Sequence, residues 1–215
     1  MSPMPKFRAT AQLLRLPNLF TAVADPLAGW FIAGQAGPLW PALGASACLY
    51  ASGIVFNDCF DYAADCRDRP ERPLPRGELS RSFAWTLAAV LMLGGLALAP
   101  NLKALALAGL ILLYNGVRKW PWVLGLCRAF NMTLGMNVIV QWPPMVLGAY
   151  VIVLSFIARH EEAQPKLRPV VKWLLLGIIV LDAALVAATG NWQAAAIVLS
   201  LLVPAALLGR ILAMT

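Results

Sequence analysis

Apolar segments long enough to cross a membrane recur along almost the whole chain, and this repetition limits what the chain can fold into. There are eight such segments, separated by polar or proline-containing breaks. They lie at residues 16–34, 39–56, 83–99, 102–114, 124–140, 142–158, 173–189 and 192–212. A bilayer core about 30 Å thick takes roughly 20 helical residues to cross, and only helices and closed barrels can span it. The segments therefore predict an all-α bundle of about eight transmembrane helices, forming one domain over residues 1–215.

Composition and charge distribution favour the same interpretation. The chain is 60% hydrophobic and 13% charged, whereas a soluble domain of 215 residues needs more polar residues to cover its surface. The net charge of +7 would suggest nucleic-acid binding in a soluble chain. With eight crossings and the amino terminus inside, however, every Lys and Arg except Lys103 falls on the cytoplasmic side. We therefore predict a multi-pass protein of the inner or plasma membrane, in contact with lipid, with both termini cytoplasmic and no nucleic-acid partner.

Acidic residues are concentrated directly after the second apolar segment. Residues 57–80 read NDCFDYAADCRDRPERPLPRGELS. At about 100° per residue, a helix would place four aspartates within an arc of roughly 80°, with an asparagine at its edge. These residues are Asn57, Asp58, Asp61, Asp65 and Asp68. Carboxylate and amide oxygens are hard donors that suit Mg²⁺, so the pattern predicts a magnesium site at the end of this helix.

A stiff basic loop follows the aspartates. It interleaves four arginines with three prolines: Arg67, Arg69, Arg72 and Arg76 with Pro70, Pro73 and Pro75. A run of carboxylates followed by a run of arginines indicates a segment that binds a metal ion next to a segment that binds a diphosphate. Within an apolar bundle, this combination predicts a ligand with a hydrophobic end and a polyanionic end, such as a prenyl diphosphate. Mg²⁺ and nearby cations would stabilise the departing diphosphate, and apolar walls would keep water from the cation-like allylic carbon.

These motifs resemble those of a known family. NDxxDxxxD followed by RPxRPLPxGxLS is similar to the first aspartate-rich motif and trailing loop of the UbiA superfamily of intramembrane aromatic prenyltransferases. RLPNLFT at residues 15–21 resembles the first helix of that family, and Tyr114 with Lys119 resembles the tyrosine and lysine ahead of its fifth helix. The resemblance implies Mg²⁺-dependent transfer of a prenyl group from a prenyl diphosphate to an aromatic or other electron-rich acceptor within the membrane.

The resemblance also implies roles for individual residues. Asn57, Asp61 and Asp65 would bind the magnesium diphosphate, with Asp58 close by as a further candidate ligand. Arg72 and Lys119 would hold the phosphates. The catalytic candidates are therefore Asp61, Asp65 and Lys119, and Arg69 is a candidate for substrate binding.

The chain departs from the family pattern in two places. Members of the family commonly have nine spanning helices, whereas eight can be marked here. The second aspartate-rich motif of the family follows the sixth helix, where this chain reads ARHEEAQPK. Glu161 and Glu162 either replace those aspartates or form an ordinary solvated pair, and His160 is either an acceptor base or a surface residue.

Several polar residues within apolar segments have two interpretations each. Arg128 and Asn131, about one helical turn apart, could reach a phosphate or acceptor together. Alternatively, Arg128 extends to the membrane interface and Asn131 bonds a neighbouring helix. Tyr114 either shields the cation or belongs to an interfacial aromatic belt. Asn18 either contacts substrate or helps to begin the first helix. Asp25 either joins two helices or belongs to a site, because a charge in the bilayer is unfavourable unless it has a partner.

Other functions remain as alternatives to prenyl transfer. A relative that binds a lipid diphosphate without turning it over fits the weak second motif. A small membrane cation transporter could use Asp25 and the aspartate-rich segment. The membrane enzymes that join a CDP-alcohol to a lipid carry a DG…AR element, and this chain has no such run.

Overall fold

Helices make up most of the computed structural model, which describes residues 6–117, 119–137, 142–160 and 164–212. No β-strand occurs within these ranges. The helices are α1 (Lys6–Leu13), α2 (Leu16–Ile32), α3 (Leu39–Phe60), α4 (Tyr62–Asp68), α5 (Arg81–Leu98), α6 (Leu102–Gly116), α7 (Pro121–Thr133), α8 (Trp142–Ala158), α9 (Arg168–Ala187), α10 (Trp192–Ser200) and α11 (Leu202–Leu208), with a 3₁₀ turn at Pro165–Leu167. The prediction of an all-α bundle is confirmed.

The lengths of the helices fit a protein that crosses a membrane several times. By length and composition, α3, α5 and α9 could each span a bilayer, and α6, α8 and the pair α10–α11 are shorter apolar helices. Large apolar side chains on their outer faces are exposed, for example Leu93 on α5 and Val153 on α8. Such faces are stable against lipid, because lipid tails are as apolar as these side chains.

Side-chain caps define where three of these helices begin. The hydroxyl of Ser80 accepts a hydrogen bond from the Phe83 amide (3.1 Å) ahead of α5. The side-chain oxygens of Asn101 and Asn191 do the same for α6 and α10, each at 3.0 Å. A capping oxygen satisfies an amide that has no intrahelical partner, so the local sequence decides these starts.

Two apolar cores stand side by side, with α7 between them. The first gathers α3, α5 and α6 around residues such as Leu49 and Leu107. The second gathers α2, α8, α9 and α10 around residues such as Ile179. Helix α7 contributes Val123 to the first core and Met132 to the second. Helix α7 therefore links the two cores, and residues of α2, α3 and α7 line a common cavity.

Close approach between α2 and the end of α7 depends on glycine. A Cβ on Gly135 would overlap the carbonyl oxygen of Pro26, and a Cβ on Gly29 would overlap that of Met132. These contacts leave no room for a side chain at either position. The two backbones can therefore pack directly against each other in the region where their polar side chains meet.

Two predicted spans differ most from the observed helices. The fifth, predicted at 124–140, begins at Pro121 and ends at Thr133, where Lys103 donates hydrogen bonds to the carbonyls of Thr133 and Met136. These bonds hold the turn that follows α7, and residues 138–141 lie outside the described ranges. The eighth span is divided at Leu201 into α10 and α11. Pro204 cannot donate a backbone hydrogen bond back to Ser200, which explains the break.

Candidate active site

A cavity of about 560 Å³ opens among α2, α3, α4, α6, α7, α8 and α9. Its polar lining includes ten of the twelve residues that the sequence singled out: Asn18, Asn57, Asp61, Asp65, Arg69, Arg72, Tyr114, Lys119, Arg128 and Asn131. Its apolar lining includes Ile54, Leu107, Ile111, Leu124, Leu154 and Leu175. The cavity therefore has the two kinds of surface that an amphipathic ligand requires.

The aspartate-rich segment bends as it passes the cavity. Helix α3 ends at Phe60 and α4 begins at Tyr62, so the single continuous helix expected through the four aspartates is interrupted at Asp61. Hydrogen bonds nevertheless continue across the junction, from the Asp61 amide to the Asn57 carbonyl (2.9 Å) and from the Asp65 amide to the Asp61 carbonyl (2.8 Å). Because the helical path is nearly maintained, Asn57, Asp61, Asp65 and Asp68 still line the cavity. We call these four residues the aspartate wall.

Two carboxylates of the aspartate wall already have cationic partners. Asp61 forms an ion pair with Lys119, which lies just before α7. Asp65 accepts a hydrogen bond from Arg72 Nη1 at 2.7 Å. Burial raises the pKa of Asp65 above its ordinary value of 3.8, and the neighbouring Arg72 acts in the opposite direction. Two of the three carboxylates of the wall are thus paired with the same cations that the sequence associated with phosphate.

Asp58 faces away from this cavity. It is buried, and its Oδ1 lies 3.0 Å from Arg15 Nη2 and 3.4 Å from Arg72 Nη1. It does not line the cavity, although the sequence pattern made it a candidate ligand. A buried carboxylate is unfavourable without a cation, and two arginines satisfy it here. The geometry makes Asp58 the residue that holds Arg15 and Arg72 at the edge of the cavity.

Arg15 is a site residue that the sequence analysis used only as part of a motif. It lies between α1 and α2 in a left-handed backbone conformation (φ 46°), which is uncommon for a residue other than glycine. Its side chain lines the cavity beside Asp58. The strained turn between the two helices therefore directs a cation into the site.

The far wall of the cavity is formed by Tyr114, Lys119 and Arg159. Tyr114 lies near the end of α6, so the structure places it on the cavity wall. Arg159 directly follows α8, and its Nη2 donates a hydrogen bond to the carbonyl of Lys119. This bond joins the end of α8 to the segment that carries Lys119. The sequence analysis had used Arg159 only as a marker of membrane topology.

A second polar cluster lies deeper, between α2, α7 and α9. Asp25 is fully buried, and its two oxygens accept hydrogen bonds from Arg128 Nη2 and Asn131 Nδ2, both at 2.7 Å. Asp182 of α9 is also fully buried and lies beside Asp25. Asn131 therefore bonds a neighbouring helix, as one interpretation expected. Arg128 is buried and paired with Asp25, so the expectation that it extends to the interface is wrong. Both side chains also form part of the cavity wall.

A proline in α2 explains part of this cluster. Pro26 has no amide hydrogen, so the Ala22 carbonyl four residues earlier has no intrahelical partner. Asn131 Nδ2 (2.8 Å) and Ser46 Oγ (2.9 Å) both donate to that carbonyl. The hydrogen bond that Pro26 removes from α2 thus leaves an acceptor that α3 and α7 satisfy, and this fixes Asn131 in place.

Comparisons with known proteins give a consistent result. No family model matches the chain. Over 119 residues, or 53% of the chain, it is 36% identical to a digeranylgeranylglyceryl phosphate synthase of Ignicoccus hospitalis, of which the match covers 39%. Over 135 residues, or 59% of the chain, it is 32% identical to the enzyme of that name in Sulfolobus acidocaldarius, of which the match covers 48%. The chain therefore spans less than half the length of these curated relatives.

Solved structures extend the likeness to almost the whole fold. One, described as a study of digeranylgeranylglyceryl phosphate synthase in membranes, superposes with a TM-score of 0.62 at 18% identity, over 94% of this chain and 95% of the other. A second, a UbiA homolog from Archaeoglobus fulgidus bound to DMAPP and Mg²⁺, has a TM-score of 0.57 at 15% identity, over 94% of this chain and 86% of the other. The chain therefore has the fold of these two structures. This fold and the apolar helices indicate a membrane protein.

The oxygen donors of the aspartate wall suit Mg²⁺, the ion named for the Archaeoglobus structure. Within the described ranges, no three His, Cys, Asp or Glu side chains are close enough together to form a metal cage of their own. Mg²⁺ does not require one, since it is usually held by one or two carboxylates together with water and substrate phosphates. Asn57, Asp61 and Asp65 line one side of a cavity that has space for such phosphates, so the residues fit the ion.

The second aspartate-rich motif of the UbiA pattern has no described counterpart. Glu161 and Glu162, the candidate replacements, lie outside the described residues. His160 is exposed at the end of α8, where its Nδ1 lies 2.9 Å from the Phe156 carbonyl. Among the described residues, all the carboxylates that line the cavity belong to the aspartate wall.

Proposed function

We propose that this protein transfers a prenyl group from a prenyl diphosphate to an electron-rich acceptor inside the membrane, with Mg²⁺ as cofactor. The observation that carries the proposal is one cavity in which oxygen donors, cations and apolar walls meet. The names of the relatives support it, because digeranylgeranylglyceryl phosphate synthases are prenyl transferases. The Archaeoglobus UbiA homolog, described as bound to DMAPP and Mg²⁺, supports the choice of donor and ion.

Asn57, Asp61 and Asp65 would hold the metal ion on the aspartate wall. When bound, Mg²⁺ would neutralise charge on the diphosphate and so make it a better leaving group. These side chains supply hard oxygen donors, and the burial of Asp65 keeps bulk water from one of them.

Arg72 and Lys119 would exchange partners when the ligand binds. Each now neutralises a carboxylate of the aspartate wall. Once those carboxylates face a divalent cation, Arg72 and Lys119 become available to the diphosphate oxygens. They would then donate hydrogen bonds that strengthen as negative charge accumulates on the departing diphosphate. Asp58 would keep Arg72 near the cavity during this exchange.

The apolar part of the cavity would hold the prenyl chain and protect its reacting carbon. Leu107, Ile111, Leu154 and Leu175 line this part. In the proposed reaction the bond between the allylic carbon and the diphosphate oxygen breaks, a bond to the acceptor forms, and the acceptor loses a proton. Excluding water prevents the competing formation of an alcohol. Tyr114, on the same wall, would add an aromatic face near the developing positive charge.

We also propose that the aspartate wall faces the cytoplasm. The support is the distribution of Lys and Arg, which follows the positive-inside rule when both termini are cytoplasmic. Labelling of single cysteines placed at Arg76 and Asn191 in intact cells tests this orientation. We expect a membrane-impermeant reagent to label the second position and not the first.

A radiochemical assay tests the proposed reaction. The full chain, purified in detergent, is incubated with Mg²⁺ and radiolabelled prenyl diphosphates of several lengths, and diphosphate release is followed for the wild type and Asp61→Ala. We expect metal-dependent release that the substitution abolishes. Binding without release would instead favour a relative that holds a lipid diphosphate without turnover. A failure to bind any diphosphate would overturn both assignments.

A further inference from the structure

Three charged side chains meet inside the bundle, on helices that carry almost no other charge. They are Asp25 on α2, Arg128 on α7 and Asp182 on α9, and all three are buried. In the sequence they are the only Asp, Glu, Lys or Arg of residues 16–57, 120–158 and 173–209. Tyr50 of α3 also faces Asp25 and Arg128, but an intact phenol is neutral. The cluster therefore contains two carboxyl groups and one guanidinium.

The two carboxyl groups of this cluster have unequal surroundings. The oxygens of Asp25 accept hydrogen bonds from Arg128 Nη2 and Asn131 Nδ2, both at 2.7 Å. Asp182 lies within hydrogen-bonding reach of Asp25, but no N–H or O–H group of the described residues donates to either of its oxygens. An ionised carboxylate can only accept hydrogen bonds. Two ionised carboxylates would therefore repel each other here, whereas a proton between them makes a hydrogen bond.

Charge balance indicates where that proton lies. A guanidinium does not lose its proton in proteins, so two ionised carboxylates would leave one uncompensated negative charge in the interior of the bundle. Such a charge is strongly unfavourable away from water, and carboxyl groups in contact commonly share one proton for this reason. Asp25 has two donors that stabilise its ionised form, and Asp182 has Asp25 as its neighbour. The proton is therefore best placed on Asp182.

We propose that Asp182 is protonated and donates a hydrogen bond to Asp25, and that it thereby positions Arg128 and Asn131 at the cavity wall. Asp25 can accept this third bond, because a carboxylate offers about four lone-pair sites. Arg128 and Asn131 line the cavity, whereas Asp25 and Asp182 do not. Asp182 is thus a positioning residue that acts through Asp25. Its effect on prenyl transfer rests on the proposed function, and its protonation does not.

Infrared spectroscopy of the full chain in detergent at neutral pH tests the protonation. A protonated carboxyl group has a carbonyl stretching band that an ionised carboxylate lacks. We expect this band in the wild type and its loss in Asp182→Asn. Asp25→Asn should lose it as well, because Asp182 then ionises as the counter-ion of Arg128. Glu71→Gln, which changes an exposed side chain outside the cluster, should keep the band.

Two substitutions at Asp182 test the positioning role. Asp182→Asn stays neutral and can still donate to Asp25, so the rate of prenyl transfer in the radiochemical assay should stay within about twofold of the wild type. Asp182→Leu cannot donate, and the rate should fall about tenfold.

A binding measurement separates this role from a general loss of structure. Mn²⁺, a paramagnetic substitute for Mg²⁺, is titrated with inorganic pyrophosphate and followed by electron paramagnetic resonance. Both Asp182 variants should bind the two probes as the wild type does, because Asp182 does not line the cavity that holds the aspartate wall. A misfolded variant would lose this binding together with the rate. In that case the wild-type and Asp25→Asn spectra provide the test.

Several results would overturn the proposal. A wild-type spectrum without the band, or a band that persists in both asparagine variants, would exclude a proton on Asp182. Thermal unfolding that Na⁺ or K⁺ shifts upward in the wild type and not in Asp182→Asn would show that a metal cation neutralises the pair. Equal rates in the wild type and a folded Asp182→Leu would remove the positioning role. A wild type that releases no diphosphate would overturn the proposed function, while the spectra would still decide the protonation.

Discussion

The two clusters of acidic residues in this protein differ in what surrounds them. Around the aspartate wall, Asp61 and its partner Lys119 are each about one-third exposed, and both line the open cavity. Around Asp25, the partner Arg128 is almost completely buried, and the bonds join α2 to α7. Ion pairs that remain near water can exchange partners at little expense, whereas breaking a buried pair leaves an uncompensated charge. We therefore expect the first cluster to control ligand binding and the second to control stability.

The largest effect is expected from breaking the buried cluster. Arg128→Gln leaves the Asp25 carboxylate without its cation, and this should destabilise the fold by about 3–5 kcal/mol. Thermal unfolding in detergent measures the loss. The double variant Asp25→Asn/Arg128→Gln removes both charges and should regain much of the stability. Additive destabilisation in the double variant would show that the two side chains are not coupled, and the comparison between the clusters would fail.

The next effect concerns the aspartate wall. Asp61→Asn should lower the rate of prenyl transfer by about 10²- to 10³-fold, because a negatively charged donor to the metal is lost. The change in unfolding free energy should stay within about 0.5 kcal/mol, since this side chain is partly exposed. The rate is measured with the radiochemical assay. Glu71→Gln, an exposed neighbour that does not line the cavity, serves as the control. A large loss of stability in Asp61→Asn would remove the distinction between the clusters.

Asp58 offers an intermediate case, because it is buried like Asp25 but belongs to the aspartate-rich segment. Asp58→Asn should weaken pyrophosphate binding about tenfold, because Arg15 and Arg72 lose the carboxylate that positions them. The Mg²⁺ concentration that gives half-maximal activity should remain as in the wild type. In Asp61→Asn, by contrast, that concentration should rise. An equal rise in both variants would make Asp58 a metal ligand and not a positioning residue.

The smallest effect is a dependence on pH at Asp65. Burial raises the pKa of this carboxyl above 3.8, so its proton is released at a higher pH than from an ordinary aspartate. Metal binding needs the carboxylate, and Mn²⁺ affinity should therefore fall as the pH is lowered toward that raised value. For the metal-free protein the sign is opposite: protonation favours the folded state, whose pKa is the higher one. Mn²⁺ titrations between about pH 7.5 and pH 5 should show the fall in the wild type and weak, nearly pH-independent binding in Asp65→Asn.

The local pattern along the chain was enough to predict the fold class, and it singled out a segment that lines the cavity. Apolar runs separated by prolines and polar residues correspond to the observed helices, and the segment after Phe56 does line the cavity. The same reasoning placed the end of α7 too late and missed the break at Leu201. Hydrophobicity indicates which residues can be helical, but a helix also ends where partners such as Lys103 satisfy its last carbonyls.

The sequence by itself determined the helices, their apolar faces and the order of carboxylates and arginines after α3, because these depend on neighbouring residues only. Tertiary structure alone decided three further points. It joined Asp25 to Arg128, 103 residues away, turned Asp58 toward Arg15, and brought Arg159 to the far wall beside Lys119. Each of these contacts depends on which helices pack together. The packing of the whole bundle determines this, because polar groups that become buried need partners on other helices.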